Sequence, residues 1–105
     1  MTPNFFEAIP ADLSEEVFDR IIESDSVKIE RIVSLGHTSP ASGWYDQGQH
    51  EWVIVLKGEA KIEIQDEGEQ HLVPGSHLQI PAHQKHRVTW TKPDTETIWL
   101  AVHYS

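Results

Sequence analysis

The chain has 105 residues, which is enough for one domain and too few for two of ordinary size. Its 17 acidic and 8 basic residues give a formal net charge of -9, which opposes binding to the phosphates of nucleic acid. The lack of cysteine excludes disulfides, thiolate metal sites and a cysteine nucleophile. Residues 1–6 lack the pattern of a signal peptide, and no run approaches about 20 apolar residues, so we expect a cytoplasmic protein without a membrane partner.

The N-terminal segment, residues 1–26, differs from the rest of the chain. Residues 12–15, with the sequence DLSE, resemble a capping box, in which an acceptor side chain precedes a glutamate by three positions. Four apolar residues follow with helical spacing: Val17, Phe18, Ile21 and Ile22. These features predict a short helix from about Leu13 to Glu23, and a strand is the alternative because such residues also suit sheets. We expect this segment to pack on the outside of the following domain or on a partner chain, because it is too apolar for a free tail.

From Val27 onward the pattern is one of short strands and turns. Strands are predicted at residues 28–35, 51–56, 59–65, 77–80, 86–90 and 97–104. In the last of them the apolar residues at 98, 100, 102 and 104 share one face, and those at 99 and 101 share the other face with His103. Seven or eight strands with little helix to cover them must close into a barrel or a sandwich.

Two segments resemble the two sequence motifs of the cupin superfamily. They are GWYDQGQHEWVIVLKG at residues 43–58 and GSHLQIPAHQKHRVTW at residues 75–90. Five residues have the spacing that the motifs require: Glu51, Gly58, Gly75, Pro81 and His86. The resemblance is to small single-domain cupins of the cupin 2 type. It implies an all-β, double-stranded β-helix (jelly-roll) barrel at residues 27–105, with the short helical segment of residues 1–26 packing on it.

The metal site that this resemblance implies departs from the family pattern, because both histidines of the first motif are absent. Their places are taken by other residues: Trp44 and Asp46 with one spacing, or Tyr45 and Gln47 with the other. Glu51 and His86 match two ligand positions, and Asp46 is the best substitute for a third. One imidazole and two carboxylates suit a divalent transition metal such as Mn, Fe, Ni or Zn. His50 is an outside candidate, since only a bulge would turn it toward the pocket.

Several further residues have both a functional and an ordinary interpretation. Tyr45 and His83 are candidates for acid–base catalysis, although His83 lies in a corner where histidines are more often on the surface. The alternatives for Glu51 are a carboxylate in solvent or a pair with Arg87, and the alternative for His86 is an exposed side chain. Ordinary strand or loop positions are predicted for four other histidines: His37, His71, His77 and His103. The tryptophans divide into predicted core residues, Trp52 and Trp99, and one predicted pocket wall, Trp90.

Three functions are compatible with these residues. The first is a metal-dependent enzyme, for example an oxygenase or isomerase, that acts on a small organic molecule. The second is a binding or sensing module that holds a small molecule without catalysis, and the third is a metal-free isomerase of the sugar type. We also expect a homodimer, because a small β domain of this length gains stability by covering its exposed strand edges.

Overall fold

Eight strands in two antiparallel sheets make up the protein, as seen in a computed structural model that describes residues 2–40 and 42–105. The strands are β1 (Val17–Glu23), β2 (Val27–Ser34), β3 (His50–Lys57), β4 (Ala60–Ile64), β5 (Gly68–Leu72), β6 (His77–Ile80), β7 (His86–Thr91) and β8 (Thr97–Tyr104). The large sheet has the order β1-β2-β8-β3-β6, and the small sheet has the order β5-β4-β7. This arrangement confirms the predicted jelly roll. Within the described ranges, no helix is long and apolar enough to cross a membrane.

The core fills the space between the two sheets. Buried apolar side chains from both sheets form one cluster: Val53, Val55, Ala60, Ile62, Ile64, Leu72, Ile80, Trp99 and Ala101. Residues of β4 alternate between buried and partly exposed, which agrees with the strand predicted at residues 59–65. The burial of apolar surface is the main favourable contribution that holds the sheets together. It contributes roughly 25 cal/mol of free energy for each Å² removed from water.

The predicted N-terminal helix is wrong, since residues 17–23 form the edge strand β1. This strand pairs with β2 from Val17 opposite Val33 to Glu23 opposite Lys28, and the register shifts between Arg20 and Ile22. The shift inserts one extra residue into the strand, so the apolar residues lose their period of two and imitate helical spacing. The backbone hydrogen bonds offered by β2 favour the strand for residues of high β propensity.

The residues before β1 are held on the outer face of the large sheet by Arg31. The Arg31 guanidinium donates hydrogen bonds to the backbone carbonyls of Phe5, Glu7 and Ala8 at 2.6–3.2 Å. It also forms an ion pair with Asp19 at 2.6 Å. Arg31 is buried although it carries a charge, and these partners replace the water that it loses.

The tryptophans follow the predictions only in part. Trp99 is in the core, whereas Trp52 lies outside the core cluster, between the buried and inward-facing Glu51 and Val53. Trp90 is opposite Lys61, because the pairing of β4 with β7 shifts register at this point. The shift reverses the alternation that would have turned Trp90 toward the pocket. Its ring instead contacts the Lys61 ammonium, which lies 5.7 Å from the ring centroid.

Candidate functional site

A cavity of about 220 Å³ lies between the two sheets. Much of its wall is apolar and comes from inward-facing strand residues: Phe18, Ile32, Val53, Ile62, Ile80, Val88 and Trp99. The ionisable side chains that reach it are Glu16, Lys28, Glu30, Tyr45, Glu51, His86 and His103. Polar groups that converge in a partly apolar cavity are typical of a site for a small molecule.

Glu51 and His86 meet inside this cavity from opposite sheets, because β3 and β7 each turn one of them inward. The carboxylate Oε1 of Glu51 lies 3.4 Å from Nε2 of His86, which is the distance of an ion pair. The side chains are 11% and 6% exposed. Gln47 donates a hydrogen bond to the same Oε1 at 2.7 Å. The Gln84 carbonyl lies 3.0 Å from Nδ1 of His86, and since a carbonyl only accepts, Nδ1 carries a proton.

Two residues that the sequence did not single out extend this pair. His103 Nε2 lies 4.0 Å from Oε2 of Glu51 and 3.1 Å from Oε1 of Glu30. The four side chains therefore form a line of alternating imidazoles and carboxylates across the cavity. His103 had been predicted to be an ordinary strand residue. The signal that could have identified it is its position on the face of β8 that also carries Trp99 and Ala101.

The environments of Glu51 and His86 shift their pKa values in opposite directions. Burial by itself raises the pKa of Glu51, but the contact with His86, the charge of His103 and the hydrogen bond from Gln47 outweigh burial and lower the pKa. Burial by itself lowers the pKa of His86, but Glu51 and the Gln84 carbonyl outweigh it and raise the pKa. Both shifts favour the charged forms of the pair, a carboxylate beside an imidazolium.

We expect the pair to make the stability of the protein depend on pH on both sides of an optimum. Its contribution to the free energy of unfolding is fully present between the ordinary values of 4.5 for Glu51 and 6.5 for His86. The contribution is lost as the pH falls through the lowered pKa of Glu51, and it is lost as the pH rises through the raised pKa of His86. Urea unfolding between pH 4 and pH 9 measures this dependence. His86→Gln should remove the decline above pH 6.5, and an unchanged decline in that variant would contradict the assignment.

Of the other predicted site residues, one lies in the cavity and the rest lie outside its lining. Tyr45 lines the cavity, and its ring centroid is 5.7 Å from that of His86. Backbone hydrogen bonds in both directions between Tyr45 and His86 hold it there. Asp46 and His83 instead contact each other, with Oδ1 2.8 Å from Nδ1, and their side chains are 42% and 72% exposed. His50 accepts a hydrogen bond from the Ala82 backbone and lies outside the cavity lining.

Only two of the three predicted metal ligands lie together in the cavity. Glu51 and His86 are adjacent, but Asp46 is bonded to His83 rather than directed at them. Among residues 2–40 and 42–105, no group of three or more His, Asp or Glu side chains is arranged to hold a metal ion. The donors in the cavity are of types that Mn, Fe, Ni or Zn accept, but they are engaged with one another. The arrangement does not supply the three-ligand set implied by the resemblance.

Comparisons with known proteins agree with the fold. The family model described as "Cupin domain" matches residues 33–103. A crystal structure from Ralstonia eutropha JMP134, provisionally named a mannose-6-phosphate isomerase, has a TM-score of 0.94 and 42% sequence identity, and the match covers 100% of this chain and 98% of that one. A cupin superfamily protein of Desulfitobacterium hafniense DCB-2 has a TM-score of 0.75 and 23% identity, covering 91% of this chain and 83% of that one.

A more distant structure, called FeII HppE, has a TM-score of 0.73 and 17% identity. The match covers 92% of this chain and 54% of that one, and it supports the fold alone. The comparison with curated proteins found no match. Because the family model covers more than half of the sequence, the chain belongs to the cupin family.

Proposed function

We propose that the chain binds a small organic molecule in the cavity and moves a proton on it without a metal, as an isomerase does. The observation that carries this proposal is the buried pair of Glu51 and His86, whose facing atoms lie 3.4 Å apart in the cavity and whose pKa values shift in opposite directions. A pair of titratable groups whose environments move their pKa values apart is the usual basis of an acid and a base in one site. Here Glu51 is the base and His86 is the acid.

The proton transfers balance for a carbonyl compound that carries a hydroxyl on the neighbouring carbon. The Glu51 carboxylate removes the proton from that carbon while the His86 imidazolium protonates the carbonyl oxygen, and an enediol forms. Neutral His86 then removes the other hydroxyl proton as Glu51 returns its proton to the former carbonyl carbon. The carbonyl has moved by one carbon, and both side chains have regained their starting charges.

Neighbouring groups support these roles. Gln47 donates to Oε1 of Glu51, so the other oxygen, Oε2, is the one available as a base. Nε2 of His103 lies 3.1 Å from Oε1 of Glu30 and 4.0 Å from Oε2 of Glu51. Glu30 therefore holds His103 beside the oxygen that acts as the base. The burial of Glu51 and His86 strengthens the electrostatic interactions between them. The substrate class, a carbohydrate or its phosphate, comes only from the name of the Ralstonia relative.

Hydrogen exchange on mannose and mannose 6-phosphate tests the proposal. We expect the protein in D₂O to replace the C2 hydrogen of one of these sugars, which removes its signal from the proton NMR spectrum. Glu51→Gln should slow this exchange by about 10²–10⁴-fold, since that is the usual contribution of a general base. His71→Gln, at an exposed position outside the cavity, should leave it unchanged.

The same protein preparation also tests whether the exchange requires a metal ion. Exchange should persist in EDTA, and elemental analysis of untagged protein should find no stoichiometric Mn, Fe, Ni or Zn. About one equivalent of such a metal, absent from His86→Ala and required for exchange, would overturn the metal-free proposal. That result would instead favour the ligand site that the sequence resemblance implies.

A binding module is the second candidate, and the apolar wall of the cavity favours it. Ligand binding without turnover would raise the melting temperature of the protein and leave the C2 hydrogen in place. Glu51→Gln would then change affinity but no rate. This outcome would retain the cavity as the functional site and remove the catalytic roles of Glu51 and His86.

A further inference from the structure

One basic side chain in the cavity has no acidic partner. Lys28 lines the cavity from β2 and is partly buried. Among residues 2–40 and 42–105, no carboxylate lies within the 4.0 Å of an ion pair with its ammonium. The remaining basic residues either contact an acidic or aromatic side chain or are exposed: Arg20, Arg31, Lys57, Lys61 and Arg87 in the first group, and Lys85 and Lys92 in the second. Lys28 is therefore the partly buried charge that the described part of the protein leaves without a counterpart.

Lys28 belongs to a row of inward side chains that ends at the proposed base. It is opposite His103 in the pairing of β2 with β8, and His103 is opposite Glu51 in the pairing of β8 with β3. All three residues line the cavity. Neighbouring strands are about 4.8 Å apart, so the backbones of Lys28 and Glu51 are separated by roughly 10 Å. Because the lysine side chain is long and flexible, a molecule of the size of a sugar that reaches Glu51 with one end can reach the Lys28 ammonium with the other.

The acidic residues that share the cavity lining or the strand pairing with Lys28 already have partners of their own. They contact an arginine, a serine or a histidine, in the pairs Glu23 with Arg20, Glu16 with Ser34, Glu30 with His103 and Glu51 with His86. None of these carboxylates neutralises Lys28. Its charge is therefore available to a group that enters the cavity.

We propose that Lys28 binds an anionic group, a phosphate or a carboxylate, at the end of the substrate remote from the reacting carbons. This inference rests on the proposed function and narrows its substrate to a sugar that carries a negative charge. In a hexose that reacts at C1 and C2 beside Glu51 and His86, the remote end is C6. The lysine ammonium is a compact charge with three donors, and such a group matches the clustered oxygens of a terminal phosphate or carboxylate.

The overall charge of the protein makes this lysine decisive for an anionic ligand. With a formal net charge of -9, the molecule as a whole repels anions, so an anionic substrate needs a local cation that outweighs this repulsion. His86 and His103 are the other basic side chains that line the cavity, and both contact carboxylates. Removal of the Lys28 charge should therefore weaken the binding of a charged sugar more than that of a neutral one.

The dissociation constants of mannose 6-phosphate, mannuronate and mannose test the proposal. In calorimetric titrations of the whole chain at low salt, at least one of the two anions should bind roughly 10-fold or more tightly than mannose, since a hydrogen bond to a charged group contributes about that much affinity. The anion that binds more tightly identifies the group as a phosphate or a carboxylate. Added salt should reduce the preference, because the interaction is one between charges.

Three variants assign this preference to Lys28. Lys28→Gln should remove most of it, and Lys28→Arg, which keeps the charge, should retain it. Lys61→Gln is the matched control, because it removes the same charge from a partly buried lysine outside the cavity lining and should leave the preference unchanged. Both glutamine variants change the net charge equally, so a general loss of attraction for anions cannot explain a difference between them.

Inorganic phosphate is a probe of the same site that requires no contact with a sugar. In heteronuclear NMR spectra it should shift the amide signals around Lys28 in the wild-type protein but not in Lys28→Gln. If phosphate binds in this way and neither sugar exchanges its C2 hydrogen, the Lys28 site is supported and the isomerase proposal is wrong. If a sugar exchanges but mannose binds as tightly as both anions, or Lys28→Gln keeps the full preference, the Lys28 proposal is overturned and the isomerase proposal is not. The absence of any phosphate-induced shift in the wild-type protein would also overturn it.

Discussion

Replacing Gly58 by alanine is expected to lower the free energy of unfolding by roughly 3 kcal/mol or more. Gly58 connects β3 to β4 with a φ of 88°, in a region that residues with a side chain rarely occupy. An added Cβ would lie 2.4 Å from Oγ1 and 2.6 Å from Cα of Thr97, and 2.8 Å from the carbonyl oxygen of Glu96. Two of these three atoms belong to the backbone of Glu96 and Thr97, where β8 begins, so they cannot move without disturbing β8.

Gly75→Ala is the matched control for this prediction. Gly75 has a similar φ of 93°, but an added Cβ would meet nothing within 4 Å. Its replacement should therefore cost only the backbone strain, about 1–2 kcal/mol. Chemical denaturation of both variants measures the difference. Equal losses would show that the close approach of Thr97 to Gly58 has no energetic consequence, and the prediction would then be wrong.

Replacing His86 by alanine is expected to destabilise the fold by about 3 kcal/mol at pH 7. The substitution leaves Glu51, which is 9% exposed, as a carboxylate without its imidazolium partner. Gln47 and His103 remain near the carboxylate, so the loss should lie at the lower end of the range for breaking a buried pair. The deficit should shrink as the pH falls below 4.5, because protonation removes the charge that lacks a partner.

Two further variants separate the lost charge pair from a general effect of removing a side chain. Adding Glu51→Gln to His86→Ala should recover part of the stability, since a neutral amide costs less to bury than an unpaired carboxylate. His71→Ala removes a histidine from the exposed pair with Glu59 and should change stability by no more than about 0.5 kcal/mol. If the double variant is less stable than His86→Ala, then charge imbalance is not the cause of the loss.

Two departures from prediction, β1 and Trp90, share one origin, which is a local shift of register between paired strands. In β1 the extra residue between Arg20 and Ile22 produced the spacing that resembled a helix. In the pairing of β4 with β7, the shift at Lys61 moved Trp90 away from the cavity. A bulge is decided by the partner strand and by packing, so a single-sequence pattern does not reveal it.

Local sequence motifs predicted only part of the candidate site, and the rest depends on contacts between distant strands. Motif spacing identified Glu51 and His86, which the structure places 3.4 Å apart. The spacing also suggested Asp46, which lies in a loop and forms its contact with His83 instead. Neither Glu30 nor His103 belongs to a motif. They reach the cavity because β2, β8 and β3 are neighbours in the large sheet, although they are far apart in the chain.

By itself, the sequence determined the class of fold, the turns and the motif positions of Glu51 and His86, which it predicted as metal ligands. Alternating apolar residues decide which face of a strand is buried, and glycines such as Gly58 and Gly75 permit the turns, so these features depend on local chemistry. Tertiary structure alone decided between helix and strand for β1, the positions of the bulges and the line from His86 to Glu30. Each of these depends on which distant strands become neighbours and in what register, and that choice is made by the packing of the whole barrel.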